Sequence, residues 1–523
     1  MKNTRENKLS LTLLAASVMA ASFGTFAAHE PLDIIYNDGD GVGVNDTRTL
    51  KLSDGTVTTY GEYRKSSIEH VARATALQFN TEVSLSWEVE FKSLNGGYNA
   101  LTLGPSFVTG SELDEYGIIE KERAVPNTLQ ASLLKKGTLS PGDASYANTD
   151  FQSDNFVYTD IVASTGQSYF TTIVYHELAH FYGFVALECL ECNEDSNGNT
   201  IFFSTPSMLS QYLWFNDSNG EISLYDLLSN EKKLEAATST TDYLLKLNES
   251  SQAVFKDEIT SGKQVLGNEV YVEMHSTPNA DGSWDSQAGS HVSNSVLPAQ
   301  LMRSSASATQ DLGVAAFALC DMGWCRNEGQ VIDLYTNVEL DENASSEEST
   351  FVDITIGSNT DAVIGQVEAK FRLDEAYTDL TMVGQVAGCE QDGYSISCSL
   401  TLNEREEKTF TLSFGSISES GFKVDGEVYT NEFHVDRNGF NNIADTVIEK
   451  PESEDDGGGD DGGGDDDGDT GGDTGGDTGG DTGTDPVVVA PESGGSSGGS
   501  SGGSMSLWMI LLGLVGVAVR HKK

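Results

Sequence analysis

The sequence predicts an α+β domain followed by an all-β sandwich, with a disordered acidic Gly-rich linker and a short hydrophobic helix at the C-terminal end. Three observations predict it. A capped amphipathic helix and a strictly alternating strand precede a second, apolar helix in the N-terminal part. Between about residues 330 and 450 several segments alternate apolar with Ser or Thr, the pattern of half-buried strands. From residue 451 the composition turns to Gly, Asp, Thr and Ser with almost nothing apolar. At 523 residues the chain is too long for one core.

Residues 1–28 read as a secretory signal. Lys2, Arg5 and Lys8 precede an apolar run from Leu9 towards Phe26, and the small Ala27 and Ala28 stand where cleavage would fall. Export would place the cysteines in an oxidising compartment, and all six fall into close pairs: Cys189 with Cys192, Cys320 with Cys325, Cys389 with Cys398. Three short-range disulfides are expected.

The α+β domain is expected over 29–328. In "SSIEHVARATALQF", Ser66 and Glu69 form a capping-box candidate. Ile68, Val71, Ala72, Thr75, Ala76 and Phe79 share one helical face, and His70 falls off it, towards solvent. The stretch "EVSLSWEVEF" turns Val83, Leu85, Trp87, Val89 and Phe91 inward with Glu or Ser between them.

The residues with chemistry lie in "GQSYFTTIVYHELAHFYGF". His176 and His180 are one helical turn apart, so both can reach one ion, and Glu177 beside them can touch a water bound to it. Ile173, Val174, Leu178, Phe181 and Phe184 surround them and argue for a buried helix, in which an unpaired His-Glu-His set would be costly without a metal. Gly183 suits the chain reversal after the helix. Two histidines rarely complete a catalytic zinc site. Of the eight histidines, His29 is at the mature N-terminus, His70 is off-face, and His434 and His521 lie in other segments. His275 and His291 remain for the third ligand; Glu188 or Glu191 in the "LECLEC" loop would be a carboxylate alternative.

"HELAHFYG" resembles the start of the metzincin motif HExxHxxGxxH, although Ala186 stands where that motif has its nearby third histidine. The chain is similar to the leishmanolysin-like metzincins, in which an insertion separates HExxHxxGF from the last histidine. The resemblance also takes in "IIYNDGDGVGVND", "SHVSNSVLPAQLMRSS" and "ALCDMGWC". It implies a zincin/metzincin-like catalytic domain with His176, His180 and His291 as ligands of one catalytic zinc ion. It also implies Glu177 as general base and Met302 as the methionine of the turn beneath the metal. No tyrosine follows Met302, so a tyrosine contact to the metal is not carried over. A third ligand 111 residues beyond His180 is a wide separation.

Other motifs are weaker. Asp38, Asp40 and Asp46 in "NDGDGVGVND", and the turn around Asp217, have calcium-like spacing but do not complete an EF-hand. Tight turns are the reading there, with Ca²⁺ the alternative. Outside the cytosol the "CLEC" pair is a structural disulfide rather than a redox pair. The net charge of -51 excludes nucleic acid as a partner.

The sandwich is expected over 329–450. "YSISCSLTL" and "TFTLSF" place Tyr394, Ile396, Cys398, Leu400 and Leu402, then Phe410, Leu412 and Phe414, on inward faces. Cys389 and Cys398 bracket the turn Gln391-Asp392-Gly393, and His434 is a surface or packing residue. A spacer or binding module is the expected role. Residues 451–504 cannot bury enough surface to offset their ordering entropy and form a tether. Segment 505–523 has an apolar run from Met505 to Val519 and a basic end. With Gly502, Gly503 and Ser504 before it, it resembles the GlyGly-CTERM sorting signal of Gram-negative bacteria, which implies a sorting protease as a partner. A plain membrane anchor is the alternative, and either way the tail contacts the membrane before processing.

The expected function is an exported zinc endopeptidase acting on protein or peptide substrates at the cell surface or outside the cell. The rival is a catalytically inert surface adhesin built on a peptidase scaffold. For the tail, mass spectrometry of the exported protein should find a C-terminus close to Ser504. Replacing Gly502 and Gly503 should leave the chain uncut in the inner membrane, whereas recovery of intact Lys523 from surface-exposed protein would establish the plain anchor.

Overall fold

The computed structural model describes residues 32–52, 57–79, 85–94, 100–103, 107–109, 124–126, 146–153, 169–186, 206–276, 288–305, 309–325, 330–384, 386–418, 420–432 and 434–450. The leader, Glu188, Cys189, Glu191, Cys192, the acidic linker, Gly502, Gly503, Ser504 and the apolar tail lie outside the described residues. Among those described, no helix is long and apolar enough to cross a membrane.

The N-terminal part is built on a mixed sheet. Strand β1 (Asp33–Tyr36) leads to helix α1 (Tyr60–Gln78), then to strands β2 (Ser86–Lys92), β3 (Ala100–Leu103) and β4 (Tyr146–Gln152) and helix α2 (Tyr169–Phe181). The spatial order is β1-β2-β4-β3. The first two pairings are parallel and β3 runs antiparallel to β4 at the edge. β2 buries Trp87, Val89 and Phe91 on one face, as its alternation requires.

Helix α1 starts earlier than expected. Thr59 is its N-cap and accepts from the Glu62 amide at 3.1 Å. The Thr59…Glu62 pair has the same capping-box spacing as Ser66…Glu69 but lies about two turns upstream, and the earlier box wins. Ser66 therefore sits inside the helix and donates to the Tyr63 carbonyl. The expected face is buried apart from the half-buried Ala76, and Ala74, Leu77 and Gln78 are buried too, because the helix is covered on a second side. That cover corrects the expectation for His70. It is half-buried with Phe440 at 5.5 Å between ring centroids, and burial, with Arg73 nearby, lowers its pKa to about 4.

A second, antiparallel sheet has the order Ile222–Leu224, Leu213–Asn216, Tyr243–Leu245, Glu269–Glu273, Lys263–Leu266. Its Glu269–Glu273 strand runs on to Met274, which bridges to Val292, and Val292 bridges in turn to Arg303. The short helix Val314–Leu319 ends at the Cys320–Cys325 disulfide, and Trp324 donates its indole N–H to the Tyr182 carbonyl at 2.9 Å.

Residues 334–448 form the expected sandwich. One sheet orders Leu334–Leu340, Thr350–Ser358, Glu407–Phe414, Thr381–Val383; the other orders Cys389–Asp392, Ser395–Leu402, Ile364–Leu373, Phe422–Thr430, Ile443–Ile448. Ile396, Cys398, Leu400, Leu402, Phe410, Leu412 and Phe414 are buried between them, and Tyr394 is half-buried at the turn. Cys389 and Cys398 are cross-strand partners joined by a disulfide.

The sandwich is docked on the N-terminal part. Its Tyr429, Val435, Phe440 and Ile443 belong to the first hydrophobic core. Arg73 of α1 binds Asp425 and Glu427, while Arg437 reaches back to Glu258 and Asp311 and its carbonyl accepts from the Leu312 amide. Gln78 donates to the Asp436 carbonyl at 3.1 Å. His434 packs at this junction with Nδ1 on the Gln330 carbonyl, consistent with a packing role. The tightest approach is at Gly439, where a Cβ would lie 2.0 Å from the Ala74 carbonyl oxygen. Gly439→Ala should therefore cost roughly 1–3 kcal/mol by overpacking. Calorimetry should show the single unfolding transition broadening or splitting as the two parts uncouple, and an unchanged transition would refute tight docking.

Candidate metal centre

Helix α2 is buried on every side, with each residue from Thr172 to Tyr182 buried and His176, Glu177 and His180 set among apolar neighbours. Its C-terminal end is a Schellman turn. Gly183 has φ of 112°, its amide donates to the His180 carbonyl at 3.0 Å, and the Phe184 amide donates to the Ala179 carbonyl at 3.1 Å. The reversal brings the Phe184 carbonyl back over the helix, where it accepts from Nδ1 of His180 at 2.7 Å. Gly183 thus ends the helix, as expected, and by doing so orients a histidine.

His291 enters from the far side. Its carbonyl accepts from the His275 amide, the Val292 amide donates to the Met302 carbonyl at 2.6 Å, and Ser290 is bonded to the backbone of Ala186. The adjacent Leu301 carbonyl accepts from Nδ1 of His176 at 2.9 Å. Met302 is fully buried in the same core. The segment around it therefore holds two ligands through its backbone.

These constraints converge three imidazoles. Nε2 of His291 lies 3.1 Å from Nε2 of His176 and 3.2 Å from Nε2 of His180. Carbonyl oxygens only accept, so Nδ1 of His176 and of His180 must each carry a proton, and in the neutral ring each Nε2 presents a bare lone pair. Nε2 of His291 has at most one proton to give, so lone pairs face one another unless a cation sits between them. Imidazole–metal distances of roughly 2.0–2.1 Å around a tetrahedral ion place ligand nitrogens about 3.3 Å apart, close to the spacing found. Burial lowers the pKa of His176 to about 4. It lowers that of His180 to about 3, with His176 adding to the effect. Both rings are therefore neutral and ready to ligate at physiological pH. Among the described residues, His176, His180 and His291 are the group of side chains able to hold a metal ion.

His275, the rival third ligand, stands outside the set. Its ring is edge-on to His291 at 6.5 Å between centroids, and it is half-buried. The calcium-like loops are taken up internally. Asp38 accepts from the Val44 and Phe91 amides, Asp46 is paired with Arg48 and Arg64, and Asp217 accepts from the Asn219 and Glu221 amides. The contacts with Val44, Arg48, Asn219 and Glu221 are those of tight turns, while Phe91 and Arg64 tie the first loop to β2 and α1.

Glu177 is buried beside the cluster, with Oε2 accepting from the Thr102 hydroxyl at 2.6 Å. Thr102 comes from β3, and sequence reasoning passed over it. The one signal was a polar residue between Leu101 and Leu103 in a short strand, which by itself reads as the solvent side.

Comparison with protein-family models gives no match, and comparison with curated proteins gives none. Among solved structures the similarities are partial. The CARDB domain of PF1109 from Pyrococcus furiosus is 13% identical over 23% of this chain and 95% of its own, with a TM-score of 0.16. The collagen-binding domain from a Staphylococcus aureus adhesin is 11% identical over 22% and 97%, also with a TM-score of 0.16. A FixG-related protein from Vibrio parahaemolyticus is 12% identical over 23% and 96%, with a TM-score of 0.14.

Proposed function

We propose that the chain is an exported zinc-dependent endopeptidase with a metzincin-like catalytic domain of the leishmanolysin kind. The reading rests on one observation above all: three buried imidazoles converge their Nε2 atoms on one place, with a buried carboxylate next to the first of them in the sequence. A scaffold without catalysis has no need for Glu177 in that position.

His176, His180 and His291 would hold the ion. Three neutral ligands leave its charge undiminished, and zinc so held would supply the Lewis acidity that polarises a peptide carbonyl and acidifies a water. Glu177 accepts the proton of the attacking water and passes it to the leaving nitrogen. The Leu301 and Phe184 carbonyls hold the two helix histidines in the ligating tautomer throughout. The N-terminal signal and the C-terminal tail belong to the same reading, and would carry the enzyme out of the cell and hold or sort it at the surface.

Two measurements test the site. Glu177→Ala should keep one zinc per chain by metal analysis and lose casein hydrolysis by roughly 10²–10⁴-fold, because the glutamate serves the water and not the ion; turnover near wild type would refute the mechanism. His291→Ala should lower zinc content and melting temperature together, since metal binding adds to folding stability, while His275→Ala should change neither. The reverse pattern would move the third ligand to His275. Wild-type protein that is fully zinc-loaded yet cleaves no protein substrate would favour the adhesin instead.

A further inference from the structure

We propose that Thr102, with Thr149 and Trp87 behind it, is a positioning residue for Glu177, the three forming a one-way hydrogen-bond relay that holds the carboxylate at the metal centre. The inference rests on Glu177 being the proposed general base, and deepens that reading.

The relay crosses three strands of the mixed sheet. Trp87 on β2 donates through Nε1 to the Thr149 hydroxyl on β4 at 2.9 Å. The Thr149 and Thr102 hydroxyls are 2.9 Å apart, and these two residues are register partners in the β3–β4 ladder. Thr102 donates to Oε2 of Glu177 at 2.6 Å; the Glu177 carbonyl at 3.4 Å is a much longer competitor for that proton.

Hydrogen-bond chemistry fixes the direction. An indole N–H only donates and an ionised carboxylate only accepts. Thr102 has one proton and spends it on Glu177, so it must accept from Thr149, which in turn accepts from Trp87. Every bond then points the same way and ends on the charged group, where an O–H···O⁻ contact is short and strong, and each link polarises the next. Trp87, Thr149 and Glu177 are fully buried and Thr102 is 2% exposed, so bulk water does not compete along the line.

A purely structural reading would have these hydroxyls bond to nearby backbone carbonyls, the common use of Thr in secondary structure. Instead the terminal proton crosses from the sheet to the helix and selects the one polar side chain that lies between the two helix ligands. A glutamate has three side-chain torsions to fix, and the relay fixes them before substrate arrives. Its anchor is the rigid sheet, not a loop, which keeps the carboxylate within the small tolerance that proton transfer to and from water demands.

The test uses the zinc-loaded full-length chain. Thr102→Val preserves shape and removes the hydroxyl. It should lower kcat by about 10²-fold with KM and zinc content held, and lower the melting temperature by a few degrees for the buried hydrogen bond that is lost. Thr102→Ser should recover most of the loss. Trp87→Phe should lower kcat by less, and adding it to Thr102→Val should cost nothing further, because the relay is already cut. A second readout does not need turnover. The infrared carboxylate band assigned to Glu177 by its disappearance in Glu177→Gln should shift in Thr102→Val, in metal-free and loaded protein alike. Wild-type kcat in Thr102→Val, failure of serine to rescue, or an unshifted carboxylate band would overturn the relay while leaving the peptidase reading intact. If the wild-type chain cleaves no peptide, the peptidase reading fails and the infrared band alone decides the relay.

Discussion

Three imidazole nitrogens brought to within bonding distance of one ion, inside an apolar core, set the terms for the rest of this molecule. Such a cluster is unfavourable by itself, since burial keeps His176 and His180 neutral and their lone pairs then oppose one another. Its persistence depends on backbone carbonyls that hold the His176 and His180 rings from behind. Both carbonyls described, of Phe184 and Leu301, come from chain reversals. The first exists because Gly183 takes a backbone conformation closed to most other residues. The second follows from the register that Val292 imposes on Met302 and Arg303. Neutral orienters would also leave the charge of a bound ion undiluted, whereas a carboxylate in that place would offset part of it.

The sandwich is more than a neighbour in this arrangement. Tyr175 precedes His176 on α2, and its hydroxyl is 2.5 Å from Nε2 of Gln78, which also donates to the Asp436 carbonyl of the sandwich. Phe440, from the same sandwich loop, packs edge-on against the Tyr175 ring at 5.1 Å. The back of the metal helix is therefore braced by residues more than 250 positions away in sequence. Arg437 continues the attachment to Asp311, ahead of the helix that carries the Cys320–Cys325 disulfide. Charge-assisted contacts and the close approach of Gly439 to Ala74 together fix the sandwich against the N-terminal part.

What could be read from the sequence was what has a short period or a short list. The alternation in β2 and in the sandwich strands is set by two-residue geometry and appears directly in their burial. His176 and His180 follow from helical spacing; the short list of histidines left His275 and His291, and the metzincin resemblance implied His291. The start of α1 was misplaced because two capping boxes compete within eleven residues and local pattern cannot rank them. His70 was misplaced for a different reason. Its helix face is free in the sequence pattern and becomes covered only when Phe440 arrives from the sandwich. Thr102 was invisible, since nothing local says that a strand threonine will meet a glutamate 75 residues later.

The two kinds of functional atom at this site are oriented by opposite means, and the difference follows from their chemistry. An imidazole ligates through one nitrogen and has a proton on the other, so its partner must accept, and the protein supplies backbone carbonyls. An ionised carboxylate has only acceptor atoms, so its partner must donate, and the protein supplies the Thr102 hydroxyl, with Thr149 and Trp87 in line behind it. Carbonyls at chain reversals lie where the helix ends, which is where His180 is. Donors in a line require a sheet, because a strand ladder is what sets Thr102 and Thr149 side by side. The placement of β3 as the edge strand beside α2 is therefore what brings the hydroxyl to Glu177. The mixed sheet and the helix turn contribute separately to one centre.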